Sequence, residues 1–245
     1  MEMNTRAELI KSLKVYLETD KLIGINDLLL GGSPAAVDKG NTKVRAEEMT
    51  LAKLKQKLEE CRECPLNKRR TNLVFGSGNP HAALMFVGEA PGADEDLQGL
   101  PFVGRAGQLL TKMIEAINMR REGVYIANIL KCRPPNNRPP MPEEVAVCSP
   151  FLMEQINIIR PKIICALGKF SSQFLLRTDE PISALRGKFR EIDGILIMPT
   201  YHPAYLLRNP NDKRLVWEDL KKIRDELTPP FWKMVDNNQP PKGRG

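Results

Sequence analysis

The sequence predicts an α/β protein built on a mainly parallel sheet with helices on both faces. Three observations predict it. Four short runs, at 82–89, 124–131, 162–167 and 195–200, are apolar nearly throughout, as strands buried on both faces of a sheet are. Longer segments with helical periodicity separate these runs, and parallel strands need such crossovers. The chain has 245 residues, 42% hydrophobic and 27% charged, enough for one sizeable domain with extensions.

Residues 5–19 carry Leu9, Ile10, Leu13 and Leu17 at helical spacing. A stretch at 31–43, rich in Gly, Ser, Pro and charge, reads as a flexible linker. A helix over 46–60 then delivers Cys61. The core alternates a strand at 82–89, a helix at 105–118, a strand at 124–131 and a helix at 142–159. It continues with a strand at 162–167, a helix at 169–176, a strand at 195–200 and a helix at 212–227. The Pro-rich polar tail from Thr228 reads as disordered. The chain thus divides into an extension and linker at 1–44, a main domain at 45–227 and a tail at 228–245. The extension is either a partner contact or a solvated helix without a role.

No apolar run approaches membrane-spanning length, and the N-terminus lacks the apolar stretch of a signal peptide. A cytoplasmic protein is expected. The net charge of +7 suits a nucleic-acid partner, although many basic proteins bind none. In a reducing compartment, clustered cysteines favour metal over disulfides. Cys61 and Cys64 form a C-x-x-C pair, and Cys132 and Cys148 follow with fifteen residues between them. Thiolate-only ligation points to zinc or an iron–sulfur cluster. Cys165, inside an apolar run, is expected in the core.

Parallel sheets bind ligands beyond the carboxyl ends of their strands. Those ends should hold Gly88-Glu89, Asn128, Gly168 and His202. Gly88 to Gly92 make a tight turn with Glu89, Ala90 and Pro91 between them, and carboxylates including Glu95 follow. The G-x-G-x-x-G dinucleotide spacing is absent. Phe102, flanked by Pro101 and Gly104, either stacks on a planar ring or fills the core. The Asn128 amide either reads a base edge with one donor and one acceptor, or bonds nearby backbone. His202 opens a loop stiffened by Pro203. Leu206 and Leu207 could wedge into a base stack, with Arg208 beside them for a phosphate. His81, in a loop beside Pro80, is read as structural.

Several motifs occur together. They are Gly88-Glu89-Ala90-Pro91-Gly92, Pro101-Phe102-Val103-Gly104, Asn128 in an apolar strand, Cys132-Arg133-Pro134-Pro135 and His202-Pro203-Ala204-Tyr205-Leu206-Leu207. In this combination residues 59–227 resemble the family 4 uracil-DNA glycosylases, the iron–sulfur branch of the uracil-DNA glycosylase superfamily. The resemblance implies a three-layer α/β/α sandwich around a central, mainly parallel four-stranded sheet. It implies a [4Fe–4S] cluster on Cys61, Cys64, Cys132 and Cys148. It implies a base-excision repair enzyme that hydrolyses the N-glycosidic bond of uracil in DNA, leaves an abasic site and spares the backbone.

Under that resemblance the target nucleotide is flipped from the stack into a pocket of Gly88, Ala90, Phe102 and Asn128. Phe102 stacks on the ring, Asn128 bonds its O4 and N3–H, and His202 donates to O2. Leu206 or Leu207 fills the gap left in the DNA, and Arg208 and Arg133 meet phosphates. Ala90 stands where the best-known branch of the superfamily has a water-positioning Asp. Glu89 and Glu95 are the candidates for that role, and Glu95 is preferred because family 4 resembles it at this spacing. The basic, histidine-containing insert of the branch that traps DNA covalently is absent after Cys132, so turnover is expected. The implied partner is uracil-containing DNA, for a monomer with a possible protein contact through the N-terminal extension. That extension resembles one in proteins labelled as related to a phage DNA polymerase, which does not by itself imply polymerase activity. Two other readings compete: a catalytically weak iron–sulfur protein that binds DNA or recruits a partner, and a zinc-stapled nucleotide-binding domain.

Overall fold

The computed structural model describes residues 49–228. The expected N-terminal helix, the linker and all but the first residue of the expected tail lie outside the described residues. No helix among the described residues is long and apolar enough to cross a membrane.

The described chain begins with α1 (Leu51–Glu59), started by Thr50, whose hydroxyl accepts the Lys53 N–H at 3.3 Å. The sheet elements are β1 (Ser77–Gly78), β2 (Leu84–Gly88), β3 (Tyr125–Asn128), β4 (Ile163–Leu167), β5 (Arg190–Ile192) and β6 (Ile195–Thr200). After β2 come α2 (Ala93–Gln98) and α3 (Arg105–Ala116), and after β3 comes α4 (Pro142–Ile159). Then follow α5 (Gly168–Leu176), α6 (Ile182–Leu185), α7 (Pro203–Arg208) and α8 (Lys213–Leu227). Pro142 at the first helical position and the Glu144 carboxylate, which accepts the Met141 N–H at 2.9 Å, define the start of α4.

The strand order is β1-β3-β2-β4-β6-β5. The four central strands are parallel, as expected. The sheet nevertheless has six strands, because two short antiparallel strands extend its edges. β1 is a two-residue Ser-Gly step and β5 alternates Arg, Glu and Ile. Neither carries the apolar run that marks a central strand, and edges this short, with charge on β5, discourage pairing with other chains.

Successive residues of each central strand face opposite sides. Leu84, Phe86, Ile163, Cys165 and Met198 join Leu110 and Ile114 of α3 and Leu220 and Ile223 of α8 on one face. Met85, Val87, Ala127, Ile164 and Ile197 join Leu152 and Ile156 of α4 and Leu175 of α5 on the other. The three-layer α/β/α arrangement is therefore present, and Cys165 is a core residue as expected.

The expected strand at 124–131 pairs in the sheet only to Asn128. Ile129 and Leu130 then donate to the carbonyls of Gly88 and Glu89 at 3.1 and 3.0 Å. That run stays apolar because it remains buried beside the exit of β2.

The end of β6 is anchored by the fully buried Asp219 of α8. Its carboxylate accepts the Thr200 hydroxyl at 2.6 Å and a bidentate approach from Arg186, whose Nε lies at 3.2 Å. Arg186 also reaches the carbonyl of Leu215 at 2.6 Å. Asp219→Ala would leave that guanidinium and the Thr200 hydroxyl without their acceptor. We expect a loss of about 3–5 kcal/mol in denaturant unfolding; a loss below about 1 kcal/mol would show that the anchor is not formed.

Candidate active site

β2 leads towards β3 on one side and β4 leads towards β6 on the other, so the connections diverge at the β2–β4 boundary. Ligands of open α/β sheets bind at the carboxyl ends beside such a boundary. A cleft of about 620 Å³ opens there, lined by Glu89, Glu95, Phe102, Asn128, His202 and Arg208 among others. This volume suits a small planar ligand with its surroundings.

The parallel register of β2 and β3 sets Gly88 opposite Asn128. Asn128 is only 2% exposed, and its Oδ1 is a buried acceptor with no partner. A side chain at Gly88 would run into that oxygen and come within 2.6 Å of the Phe102 ring. Gly88 therefore contributes by leaving room for the amide and the ring. Ala90 also lines the cleft, and its other side touches the cluster formed by Cys132 and Cys148.

Phe102 is buried and has a positive φ of 52°. A bulky residue in this region costs about 1–3 kcal/mol and persists only where its surroundings impose it. Here they do. Arg121 donates to the Pro101 carbonyl at 2.6 Å on one side. Glu95 accepts the N–H groups of Val103 and Gly104 at 3.0 and 3.2 Å on the other. Gly107 lets α3 approach, since any Cβ there would strike the Phe102 carbonyl. The Phe102 ring ends 5.6 Å from the His202 ring, inclined at 33°.

Glu95 was expected to position water. Its second oxygen also accepts the Gly92 N–H at 3.0 Å, so both carboxylate oxygens are occupied by backbone donors. Glu95 thereby fixes the loop that carries Phe102. Glu89 differs. Among the described residues no donor is bonded to its carboxylate, and burial pushes its pKa upward.

His202 sits just before α7, and its Nδ1 accepts the Ala204 N–H at 3.1 Å. Pro203 has no N–H, so Ala204 offers the first donor after the histidine. An acceptor Nδ1 places the single proton of the neutral ring on Nε2. Burial, with Arg208 adding to it, lowers the imidazole pKa to about 4, so the ring is neutral near pH 7 and presents an N–H donor.

On α7 the two leucines part company. Leu206 is 1% exposed and packs in the core; one residue along a helix turns a side chain by about a quarter of the circumference. Leu207 is 40% exposed, and Arg208 beside it is exposed and lines the cleft. Arg133 is half-buried, and its Nε donates to Asn137 Oδ1 at 2.8 Å. Arg138, lower in the same loop, is held by both oxygens of Glu144 at 2.6 and 2.9 Å.

Cys132 and Cys148 are buried against Leu66 and Leu130, with Cys64 alongside. Cys61 follows α1 and touches the neighbouring cluster of Leu54, Leu58 and Phe75. Cys132 Sγ accepts from Arg70 Nη1, and Cys148 Sγ from the Lys131 N–H, both at 3.3 Å. Burial pushes the Cys148 thiol up to about 12, with Lys131 opposing; Cys132 moves upward for the same reason, with Arg70 opposing. Among the described residues, no three His, Cys, Asp or Glu side chains converge tightly enough to hold a single metal ion.

Sequence reasoning missed Lys131, Gln155 and Arg121. Lys131 is fully buried and donates to the Asn128 carbonyl at 2.7 Å and to Gln155 Oε1 at 2.6 Å. Burial pulls its ammonium down to about 7, while Cys148 acts in the opposite direction. A lysine closing an apolar run just before Cys132 was the available signal. Arg121 offered none, because its partner Pro101 lies twenty residues away.

Comparison with known proteins agrees with this geometry. The Uracil DNA glycosylase superfamily model matches residues 75–221. The type-4 uracil-DNA glycosylase of Sulfurisphaera tokodaii is 47% identical over 191 residues, covering 74% of this chain and 86% of the relative. That of Archaeoglobus fulgidus is 46% identical over 182 residues, covering 71% and 92%. A type-5 uracil-DNA glycosylase of Pyrobaculum aerophilum is 32% identical over 163 residues, covering 60% and 71%. The chain belongs to the uracil-DNA glycosylase superfamily, and within it to the type-4 branch.

Proposed function

We propose that this protein is a monofunctional uracil-DNA glycosylase, which removes uracil from DNA by hydrolysis and leaves an abasic site for base excision repair. The observation that carries this reading is the buried, unpartnered Oδ1 of Asn128. A buried acceptor is costly unless a ligand donor reaches it. The N3–H of uracil supplies that donor, and the amide N–H₂ faces O4. Cytosine has no hydrogen at N3 and carries an amino group at the adjacent position, so it opposes the amide at both points. Such a mismatch supports strong rejection.

Reaching the glycosidic bond requires a flipped nucleotide. The flipped ring lies against Phe102, whose strained backbone preorganises the platform. Leu207 is the side chain placed to enter the base stack, and Arg208, with Arg133, suits phosphate contact. When the C1′–N1 bond breaks, its electron pair passes to the uracil ring and charge spreads to O2. The Nε2–H of neutral His202 donates to O2 as that charge grows. A ring this reluctant to take a proton acts by hydrogen bonding rather than as an imidazolium. Glu89 is the free carboxylate suited to orient the water that adds to C1′. An oxocarbenium-like transition state requires little more than placement of that water.

We further propose that Cys61, Cys64, Cys132 and Cys148 hold a [4Fe–4S] cluster. Three observations support it. The thiols of Cys64, Cys132 and Cys148 gather around one apolar patch. Two of the sulfurs receive N–H donors, which favour thiolate ligands. Buried Lys131 has only neutral oxygens as acceptors, and an anionic cluster beside Cys148 would provide it a counter-charge. Held by these four cysteines, the cluster would crosslink the segment after α1, the loop after β3 and α4.

Incubation with a uracil-containing oligonucleotide, followed by alkali, should break the strand at uracil alone; an intact strand at high enzyme concentration would sink the proposal. His202→Ala should lower the single-turnover rate roughly 10²- to 10³-fold while changing DNA affinity little. Equal losses in rate and affinity would count against its donor role.

The His202 pKa of about 4 lies below the roughly 6.5 of an unfolded chain. Between these values the unfolded state binds more protons, so stability declines as pH falls from about 6.5 to 4 and is unaffected by this group at higher pH. Imidazole titration followed by NMR should show a midpoint near 4 for His202; a midpoint near 6.5 would refute the neutral ring. Cys132→Ser should yield protein with less iron and a lower melting temperature. A brown variant with full iron content would show that Cys132 is not a ligand.

A further inference from the structure

Lys131 is a group that the reaction chemistry does not use. It is fully buried, and its Nζ spans the carbonyl of Asn128 at 2.7 Å and Gln155 Oε1 at 2.6 Å. Gln155 is itself fully buried and is oriented by its own donations to the Phe75 carbonyl at 2.9 Å and Tyr125 Oη at 3.2 Å. The backbone of Lys131 is tied as well. Its N–H reaches Cys148 Sγ at 3.3 Å, and its carbonyl accepts the Val74 N–H at 2.9 Å. One residue thus connects the last peptide of β3, the middle of α4, the segment at 74–75 and a cysteine of the thiol cluster.

A buried lysine with neutral acceptors is an expensive way to fill space. An apolar residue would serve better if filling space were the only requirement. The ammonium does something an apolar side chain cannot, which is to hold the Asn128 carbonyl in a fixed direction. Asn128 is the last residue of β3. The direction of its carbonyl sets the peptide from which the reading amide projects, and a carbonyl left unbonded there would be free to rotate or would remain unsatisfied.

We propose that Lys131 is a positioning residue for base recognition, which locks the Asn128 peptide against Gln155 and so carries the rigidity of the cysteine-bearing layer to the amide. The proposal rests on the reading of Asn128 as the uracil-recognising residue.

The test uses Lys131→Met, which keeps an unbranched stem and removes the donors. Excision of uracil from an oligonucleotide is measured under single-turnover conditions in the wild-type, Asn128→Ala and His202→Ala backgrounds. A displaced amide should slow excision roughly 10- to 100-fold in the wild-type background. The same change should cost less than about 2-fold in Asn128→Ala and its full effect in His202→Ala, since the coupling is to Asn128 alone. A rate equal to wild type, or equal losses in both backgrounds, would overturn the proposal. A crystal structure of Lys131→Met supplies a readout independent of activity: the Asn128 carbonyl should turn, and an unmoved Asn128 refutes the role even if the protein excises no uracil at all. Failure of the wild-type protein to excise would instead reject the functional reading. Should Lys131→Met not fold, Gln155→Leu removes one of the two acceptors; it should show a smaller loss that again depends on Asn128, and a loss independent of Asn128 would overturn the proposal.

Discussion

The parallel pairing of β2 with β3 sets the geometry on which the cleft depends. It aligns Gly88 with Asn128, and through Gly88 it admits the edge of Phe102. Neither contact survives a shift of register, because a slip of one residue would turn Asn128 to the other face of the sheet. The register is itself secured beyond the strand ends, where Ile129 and Leu130 bond the carbonyls of Gly88 and Glu89. β3 carries the chain on to Cys132, and the cleft and the cysteine cluster share a wall at Ala90.

Charge is used in two ways around this wall. Glu95 and Arg121 are bonded to backbone and Asp219 to Thr200 and Arg186, and each holds a segment whose geometry the cleft needs. Glu89 and Arg208 are left to face the cleft. This division explains why Phe102 can keep an unfavourable backbone angle. Three backbone N–H groups on one carboxylate and a guanidinium on one carbonyl together outweigh about 1–3 kcal/mol of strain.

Much of this was legible in the sequence, and the rest was hidden for identifiable reasons. The four central strands announced themselves because burial on both faces demands uninterrupted apolar runs. The edge strands did not, since a Ser-Gly step and an Arg-Glu-Ile triplet meet no such demand. Residues at strand ends, such as Asn128 and His202, were visible as polar groups where an apolar run stops. Glu95 was legible as a group, but its bonds to Val103 and Gly104 were not, because those donors lie in a loop whose path the sequence does not reveal. Leu206 and Leu207 could not be separated without knowing which side of a six-residue helix faces the core. Lys131 escaped attention because a lysine after an apolar run ordinarily marks the return to solvent.

The bond from Ala204 N–H to His202 Nδ1 spans only two residues. The donor tautomer of the ring is therefore written into a tripeptide whose middle residue, Pro203, cannot compete as a donor. Enzymes that orient a histidine through a distant carboxylate must maintain two separated positions at once. Here the tautomer is set by a bond that travels with the histidine, while the burial that keeps the ring neutral is supplied by its surroundings, so the two properties are open to separate change.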